Sequence, residues 1–124
     1  MRAGFLVVVC LGLSSEIAFA DGDIAKGEKI FARCATCHSI TEKTNKHGPH
    51  LVGIIGRPVA TADGFTYSKA MWEYSKTGAV WDEATLDAFV KAPSKFVKGT
   101  NMNAVPMPQD TERADLIAYL KAHM

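Results

Sequence analysis

The sequence predicts a small all-α domain in which three main helices are separated by long loops. Apolar residues recur with helical spacing near the beginning, in the middle and at the end of the chain. The stretches between these segments are rich in glycine, proline and asparagine, which favour turns. Few segments show the alternating pattern of paired β-strands, so no sheet is expected.

The first 20 residues have the pattern of a cleaved secretory signal. Arg2 supplies a positive charge, residues 3–13 are apolar, and residues 18–20 form an Ala-Phe-Ala cleavage site. The apolar run is too short to span a bilayer. We therefore expect a signal peptide at residues 1–20 and a mature periplasmic domain at residues 21–124. An uncleaved anchor is the alternative interpretation.

Capping residues and apolar spacing predict four helical segments in the mature chain. They run from Asp23 to Cys34, from Tyr67 to Ser75, from Asp82 to Pro93, and from Asp110 or Thr111 to Leu120. The second segment is the shortest, so three main helices remain. Residues 39–62 and 94–109 contain most of the turn formers and are predicted to be loops.

The charge balance of the chain gives no sign of a strong overall electrostatic field. Lysine and arginine total 14 and aspartate and glutamate total 13, for a formal net charge of +1. Nucleic acids and anionic membranes require a larger excess of positive charge. After the signal peptide, no apolar stretch is long enough to span a bilayer. We expect a monomer with no nucleic-acid partner and no stable membrane insertion.

Residues 34–38, Cys-Ala-Thr-Cys-His, carry the strongest functional signal in the sequence. C-x-x-C-H is the attachment pattern for a c-type haem. Cys34 and Cys37 share one face of a helical turn and can each form a thioether, and His38 can then bind the iron. The motif occurs once, so one covalent haem c is predicted. A dithiol or zinc protein without haem is the alternative, although it leaves His38 unexplained.

A six-coordinate haem needs a second axial ligand, and methionine opposite histidine raises the reduction potential. Met71 lies in a short predicted helix and is expected to fill the core, and Met124 is the last residue. Met102 and Met107 both lie in the loop before the last helix. The chemistry of these two residues does not rank one above the other.

Two histidines, His47 and His50, flank Gly48 and Pro49. No other cluster of metal ligands accompanies them in the sequence. Exposed loop histidines are therefore predicted here in preference to a metal site.

The chain as a whole resembles class I cytochromes c, of the mitochondrial and the related bacterial periplasmic kind. The resemblance covers essentially all of residues 23–123, and its motifs occur in the order and spacing of that family. These motifs are Gly27–Phe31, Cys34–His38, Gly48–Leu51, Gly56-Arg57, Phe65–Ser68, Trp81, Gly99–Met102 and Glu112–Leu120. The fold that the resemblance implies is three main helices, with short helical turns and loops, wrapped around one covalent haem.

The resemblance also implies roles for individual residues. Met102 stands where the family has its axial methionine, which makes Met107 the weaker candidate. Pro49 stands where a carbonyl accepts a hydrogen bond from the ring of the axial histidine, here His38. In the family, four residues contact the haem propionates, and they correspond to Arg57, Tyr67, Trp81 and Thr100.

The function implied by the resemblance is one-electron transfer, with no bond of a substrate made or broken. The protein is therefore not expected to be an enzyme. Its implied partners are redox proteins at the membrane surface, such as a quinol–cytochrome c reductase and a terminal oxidase. Such partners meet through small, transient interfaces.

Departures from the family pattern concern the Met102 side of the haem. Ala104 replaces a usual phenylalanine, Phe89 a tyrosine, and Pro106 a glycine. Ala104 and Phe89 leave one alternative function open, a haem protein that binds a gas or a peroxide at an open site after Met102 leaves the iron.

The basic docking surface of the family is thinned in this chain, because Asn101 and Pro108 replace lysines. Docking is therefore expected to depend less on salt than is usual. The remaining basic residues expected at partner contacts are Arg33, Lys46, Lys95 and Lys98.

Overall fold

The computed structural model describes Gly4, Gly12, residues 22–102, Ala104 and residues 106–124. Apart from its two glycines, the predicted signal peptide at residues 1–20 lies outside the described residues. The secondary structure consists of the helices α1 (Ile24–Phe31), α2 (Lys69–Ser75), α3 (Glu83–Lys91), α4 (Pro93–Phe96) and α5 (Asp110–Lys121). Among these described residues, the only β-type pairing is one isolated antiparallel bridge between Pro58 and Val80. The predicted all-α class is confirmed.

The predicted capping carboxylates begin two of the helices. The Asp23 carboxylate accepts a hydrogen bond from the Lys26 N–H (3.0 Å) at the start of α1. The Asp82 carboxylate accepts one from the Thr85 N–H (2.7 Å) at the start of α3. Each bond satisfies a backbone N–H that has no partner within its helix, which is why aspartate is favoured at these positions.

The first helix is shorter than predicted. It ends at Phe31, and residues 32–37 continue as turns that carry the C-x-x-C-H motif. The cause is local, because the Cys34 N–H already bonds to the Phe31 carbonyl (2.7 Å) in a tighter pattern than an α-helix. The prediction that α1 extends to Cys34 was therefore wrong by one turn.

Two further boundaries differ from the prediction. Pro93 was expected only to end a helix, but it also begins the short helix α4 inside a stretch predicted as loop. Its fixed φ and missing N–H suit the first position of a helix. Gln109 is the N-cap residue of α5, so Asp110 is its first helical residue instead of its cap.

The close crossing of α1 and α5 organises the domain. Gly27 is buried in this crossing, and a Cβ built on it would lie 2.0 Å from the Asp115 carbonyl oxygen. The rings of Phe31 and Tyr119 pack with their centroids 5.3 Å apart. The Asp23 N–H also donates to the Asp115 carboxylate (2.7 Å). Glycine at position 27 is therefore required by the distance between the two helices.

A single apolar core joins this crossing to α2, α3 and the loops. None of the helices in the described part of the chain is long and apolar enough to cross a membrane. The buried members of the core are Phe31, Ile40, Ile54, Val59, Met71, Trp81, Leu86, Phe89, Val97, Met107, Leu116, Ile117, Tyr119 and Leu120.

Candidate haem-binding site

The C-x-x-C-H motif forms consecutive turns directly after α1. The N–H groups of Cys37 and His38 both donate to the Cys34 carbonyl, at 3.0 and 2.9 Å. Both cysteines are free, with Cys34 half-buried and Cys37 exposed. Burial raises the pKa of the Cys34 thiol, and the neighbouring Arg33 opposes that rise. The turns thus hold two unpaired thiols and one imidazole within residues 34–38.

The His38 imidazole is held in one tautomer by the backbone. Its Nδ1 lies 2.7 Å from the Pro49 carbonyl oxygen. A carbonyl oxygen can only accept, so Nδ1 carries the hydrogen and Nε2 keeps a free lone pair. Burial lowers the pKa of His38, and the bond to Pro49 partly opposes that shift. A neutral imidazole with a free Nε2 is the form that binds a metal.

Gly48 leaves the space that the His38 ring occupies. A Cβ built on Gly48 would lie 2.3 Å from Cε1 of His38. Gly48→Ala is therefore expected to displace the imidazole and to cost about 1–3 kcal/mol of unfolding free energy, the usual range for overpacking. Urea unfolding measures the stability loss, and proton NMR of the reduced protein measures the displacement of the His38 ring.

The matched control for this substitution is Gly53→Ala. Gly53 has φ of +64° and open space where a Cβ would be, so alanine there costs only backbone strain. The His38 resonances should move in Gly48→Ala and stay in place in Gly53→Ala. Equal behaviour of the two variants would contradict the close packing of Gly48 against the ring.

The four methionines after the motif occupy different environments. Met102 is half-buried at the edge of the core, and its N–H donates to the Thr100 hydroxyl oxygen (3.2 Å). Met71 and Met107 are buried core residues, 8% and 7% exposed, whereas Met124 is 75% exposed. The prediction that Met71 fills the core agrees with its position. Met102 is thus the one methionine in the described part of the mature chain that is partly accessible and packed on the core.

Backbone pairing brings Arg57 and Trp81 together. The Trp81 N–H donates to the Arg57 carbonyl (2.9 Å), and the Gly56 N–H donates to the Trp81 carbonyl (2.8 Å). The Arg57 guanidinium donates to the carbonyls of His50 (2.9 Å) and Val52 (3.2 Å). Its Nε is buried and has no hydrogen-bond partner among the residues that the structure describes.

The two hydroxyl groups predicted at this site already accept hydrogen bonds. The Tyr67 hydroxyl oxygen accepts from the Ala62 N–H (2.9 Å), and the Thr100 hydroxyl oxygen accepts from the Met102 N–H. In each group the hydroxyl hydrogen is left to donate to another acceptor. Thr100 therefore has a role that was not predicted from the sequence, since it also fixes the backbone of Met102.

His50 was predicted to be exposed, and this prediction was wrong, whereas His47 is exposed as expected. His50 is only 8% exposed, and its Nδ1 lies 3.4 Å from Arg57 Nη1 and 3.3 Å from the Val52 N–H donor. Both neighbours are donors, so Nδ1 accepts and the ring is neutral. No group of three or more potential metal-ligating residues occurs in the described ranges.

The burial of His50 makes stability depend on pH. Burial, then Arg57 and Lys43, lower its pKa from the ordinary 6.5, with Asp63 opposing. The unfolded chain takes up a proton at about pH 6.5 that the folded protein resists, so the unfolding free energy should fall as pH is lowered below that value. Urea unfolding between about pH 7.5 and about pH 5 measures this fall. His50→Asn should show a shallower dependence, and an unchanged slope would contradict the assignment to His50.

Comparison with known proteins identifies the family. The model of the cytochrome c family matches residues 24–123. The chain belongs to the cytochrome c family. It is 48% identical over 103 residues to cytochrome c of Chlamydomonas reinhardtii, covering 81% of this chain and 88% of that protein. It is 36% identical over 132 residues to cytochrome c2 of Rhodospirillum rubrum, covering 98% of each.

Solved cytochromes have the same fold. Cytochrome cH from Methylobacterium extorquens superposes with a TM-score of 0.74 at 39% identity, covering 82% of this chain and 99% of that one. Cytochrome c2 from Rhodospirillum centenum superposes with a TM-score of 0.77 at 33% identity, covering 82% and 98%. As a cytochrome c, the chain is an electron carrier with one covalent haem c and is not an enzyme.

The side chains of this cytochrome fit its haem. Two unpaired thiols stand ready for thioether bonds, and the ring of His38 has a free Nε2. The buried Arg57 Nε without an acceptor matches an anionic group such as a propionate, because a buried charged donor otherwise carries a desolvation cost. When bound, the haem supplies an iron that accepts and releases one electron.

Proposed function

We propose that this cytochrome c carries single electrons in the periplasm with its iron held between His38 Nε2 and the Met102 sulfur. The observation that carries the proposal is the 2.7 Å contact between His38 Nδ1 and the Pro49 carbonyl. That contact commits one ring nitrogen to the backbone and leaves the other for a metal. It also makes the imidazole a stronger donor to the iron.

Met102 is proposed as the second ligand because of its position. Its competitor Met107 is buried beside α3, where its N–H donates to the Val90 carbonyl (3.1 Å). Met102 is half-buried, and its backbone is fixed by Thr100. A ligand that stays bound in both oxidation states keeps the geometry constant during electron transfer, which suits a carrier.

The propionates are proposed to lie among donors that have no acceptor within the described residues. These donors are the Nε of Arg57 and the hydroxyl hydrogens of Tyr67 and Thr100. The indole N–H of Trp81 is proposed to join them, because the Trp81 backbone is paired with Arg57. Burial lowers the pKa of Arg57, which reflects the cost of its charge in this position. A carboxylate within reach of Nε offsets that cost through a charge-assisted hydrogen bond.

Residues 1–20 are proposed to be cleaved as a signal peptide. Residues 21–124 are then proposed to act as a monomer in the periplasm. Its proposed partners are a quinol–cytochrome c reductase and a terminal oxidase or similar membrane redox complexes. Lys95 and Lys98 are exposed, and the Lys46 ammonium donates to the Ala35 carbonyl (2.7 Å) beside the C-x-x-C-H motif. Arg33 is partly neutralised by Glu112 at 3.2 Å. This small basic set supports transient docking with weak salt dependence.

Carbon monoxide binding to the reduced protein tests the proposal against the open-site alternative. With both axial positions filled, the unaltered protein should bind carbon monoxide slowly and incompletely at neutral pH, whereas Met102→Ala should bind it rapidly and fully. Rapid and complete binding by the unaltered protein would favour a gas- or peroxide-binding haem protein. Purified protein without the absorption bands of a c-type haem would refute both interpretations.

A further inference from the structure

We propose that Arg113 is a positioning residue for Met102. Its guanidinium fastens the chain five positions after Met102 to the helices α3 and α5, and this limits how far the methionine can move. The inference rests on the proposed ligation of iron by Met102. The role is separate from the geometry on the His38 side of the haem, because Arg113 lies on the last helix and contacts neither the C-x-x-C-H motif nor Pro49 among the described hydrogen bonds.

The guanidinium of Arg113 is almost completely buried, with 3% of the residue exposed. Its Nε donates to the Asp87 carboxylate on α3 at 2.7 Å, and its Nη2 donates to the Asp110 carboxylate at the start of α5. Its Nη1 donates to the Met107 carbonyl at 2.8 Å. One buried cation thus joins α3, the start of α5 and the loop that precedes α5. The Asp87 side chain is 32% exposed and the Asp110 side chain 90% exposed, so the pair with Asp87 is the better shielded of the two. Charge-assisted hydrogen bonds are the strong class of hydrogen bond.

Met107 is held in place within this loop by hydrogen bonds to both of its backbone groups. Its carbonyl is held by Arg113, its N–H is held by the Val90 carbonyl (3.1 Å), and its side chain is 7% exposed. On the other side, the Met102 N–H donates to Thr100. Between the two methionines, Ala104 and Pro106 are exposed. Met102 and Met107, five positions apart, are therefore each held by a backbone hydrogen bond.

Removal of the Arg113 guanidinium would shift the equilibrium between protein with the Met102 sulfur bound to the iron and protein with that sulfur released. The bond between sulfur and iron would then have to order residues that Arg113 now holds in place. Ordering the backbone of a single residue corresponds to about a tenfold change in an equilibrium constant. We therefore expect the fraction of protein with sulfur off the iron to rise at least about tenfold when the guanidinium is removed.

A second ion pair supplies the control for contacts between α3 and α5. Glu83 on α3 and Lys121 on α5 form an ion pair at 2.6 Å. Glu83→Gln removes this pair between the same two helices. Leu120→Ala, at a core position of α5 two turns beyond Arg113, supplies a second control that lowers global stability.

The test titrates the oxidised protein with imidazole, which binds the iron only when Met102 has left it. The apparent affinity for imidazole then scales with the sulfur-free fraction. We expect Arg113→Met to bind imidazole at least about tenfold more tightly than the unaltered protein. Asp87→Asn, which keeps the guanidinium, should shift the affinity in the same direction by a smaller factor. Glu83→Gln should leave it unchanged.

The controls separate positioning from general destabilisation. Urea unfolding ranks the global stability of all variants, and circular dichroism confirms their helices. If Leu120→Ala matches the stability loss of Arg113→Met and also matches its imidazole affinity, Arg113 acts only through global stability and the inference is overturned. If Arg113→Met does not fold, an imidazole affinity of Asp87→Asn equal to that of Glu83→Gln overturns it. An unaltered oxidised protein without an iron–sulfur charge-transfer band would refute both the proposed ligation and this inference.

Discussion

Replacement of Met102 by alanine is expected to abolish the iron–sulfur charge-transfer band of the oxidised protein and to lower the reduction potential. Methionine opposite histidine raises the potential, and axial ligands set haem potentials over a range of about 0.8 V. The fall should therefore be a sizeable part of that range. Absorption spectroscopy of the oxidised protein and a redox titration of the variant measure the two effects.

Met107→Ala is the matched control for this substitution. Met107 is 7% exposed in the core, so its truncation should cost about 2–5 kcal/mol of unfolding free energy while the band survives. The opposite outcome, in which the band survives Met102→Ala and disappears in Met107→Ala, would mean that Met107 binds the iron. The two variants thus separate ligation from packing.

Gly27→Ala is expected to destabilise the protein by about 3 kcal/mol or more, the upper end of the effect of overpacking. The new Cβ would lie 2.0 Å from the Asp115 carbonyl oxygen and 2.7 Å from the Tyr119 Cβ. The nearest atom belongs to the backbone of α5, so relief requires the two helices to separate. At a solvent-exposed helix position, replacing glycine by alanine would stabilise the protein by about 0.5–1 kcal/mol. The sign of the effect therefore shows whether the two helices are in close contact at Gly27.

Urea unfolding of Gly27→Ala beside Ala25→Gly measures this effect. Ala25 is exposed on the same helix, so Ala25→Gly reports only helix propensity, a loss of about 1 kcal/mol. If Gly27→Ala were as stable as the unaltered protein or more stable, α1 and α5 could not cross as closely as described. The contact between these helices would then contribute less to the fold than the buried Phe31–Tyr119 pair indicates.

Features set by nearby residues were predictable from the sequence. Asp23 and Asp82 cap helices because an aspartate side chain reaches an N–H three residues later, whatever the rest of the fold does. The C-x-x-C-H motif likewise needs only one turn of chain. Pro93 shows the limit of local rules, since proline can both end one helix and begin the next.

Features set by distant residues were not predictable from composition or spacing. His50 is buried because the chain returns to place Arg57 beside it, and a histidine next to glycine and proline otherwise belongs to an exposed loop. Arg113 lies in a helix motif, where an arginine is ordinarily exposed. Its burial depends on Asp87, 26 positions away, and on a loop carbonyl. Such pairings become visible only when the tertiary structure is known.

A spectroelectrochemical titration of the unaltered protein tests the His38/Met102 electron carrier most directly. The haem bands and the iron–sulfur band are followed together as the potential is changed in both directions. We predict one reversible one-electron transition, in which the iron–sulfur band appears in proportion to the oxidised protein and the midpoint lies well above that of Met102→Ala. Hysteresis, absence of the band, or a midpoint equal to that of Met102→Ala would contradict six-coordinate ligation by His38 and Met102.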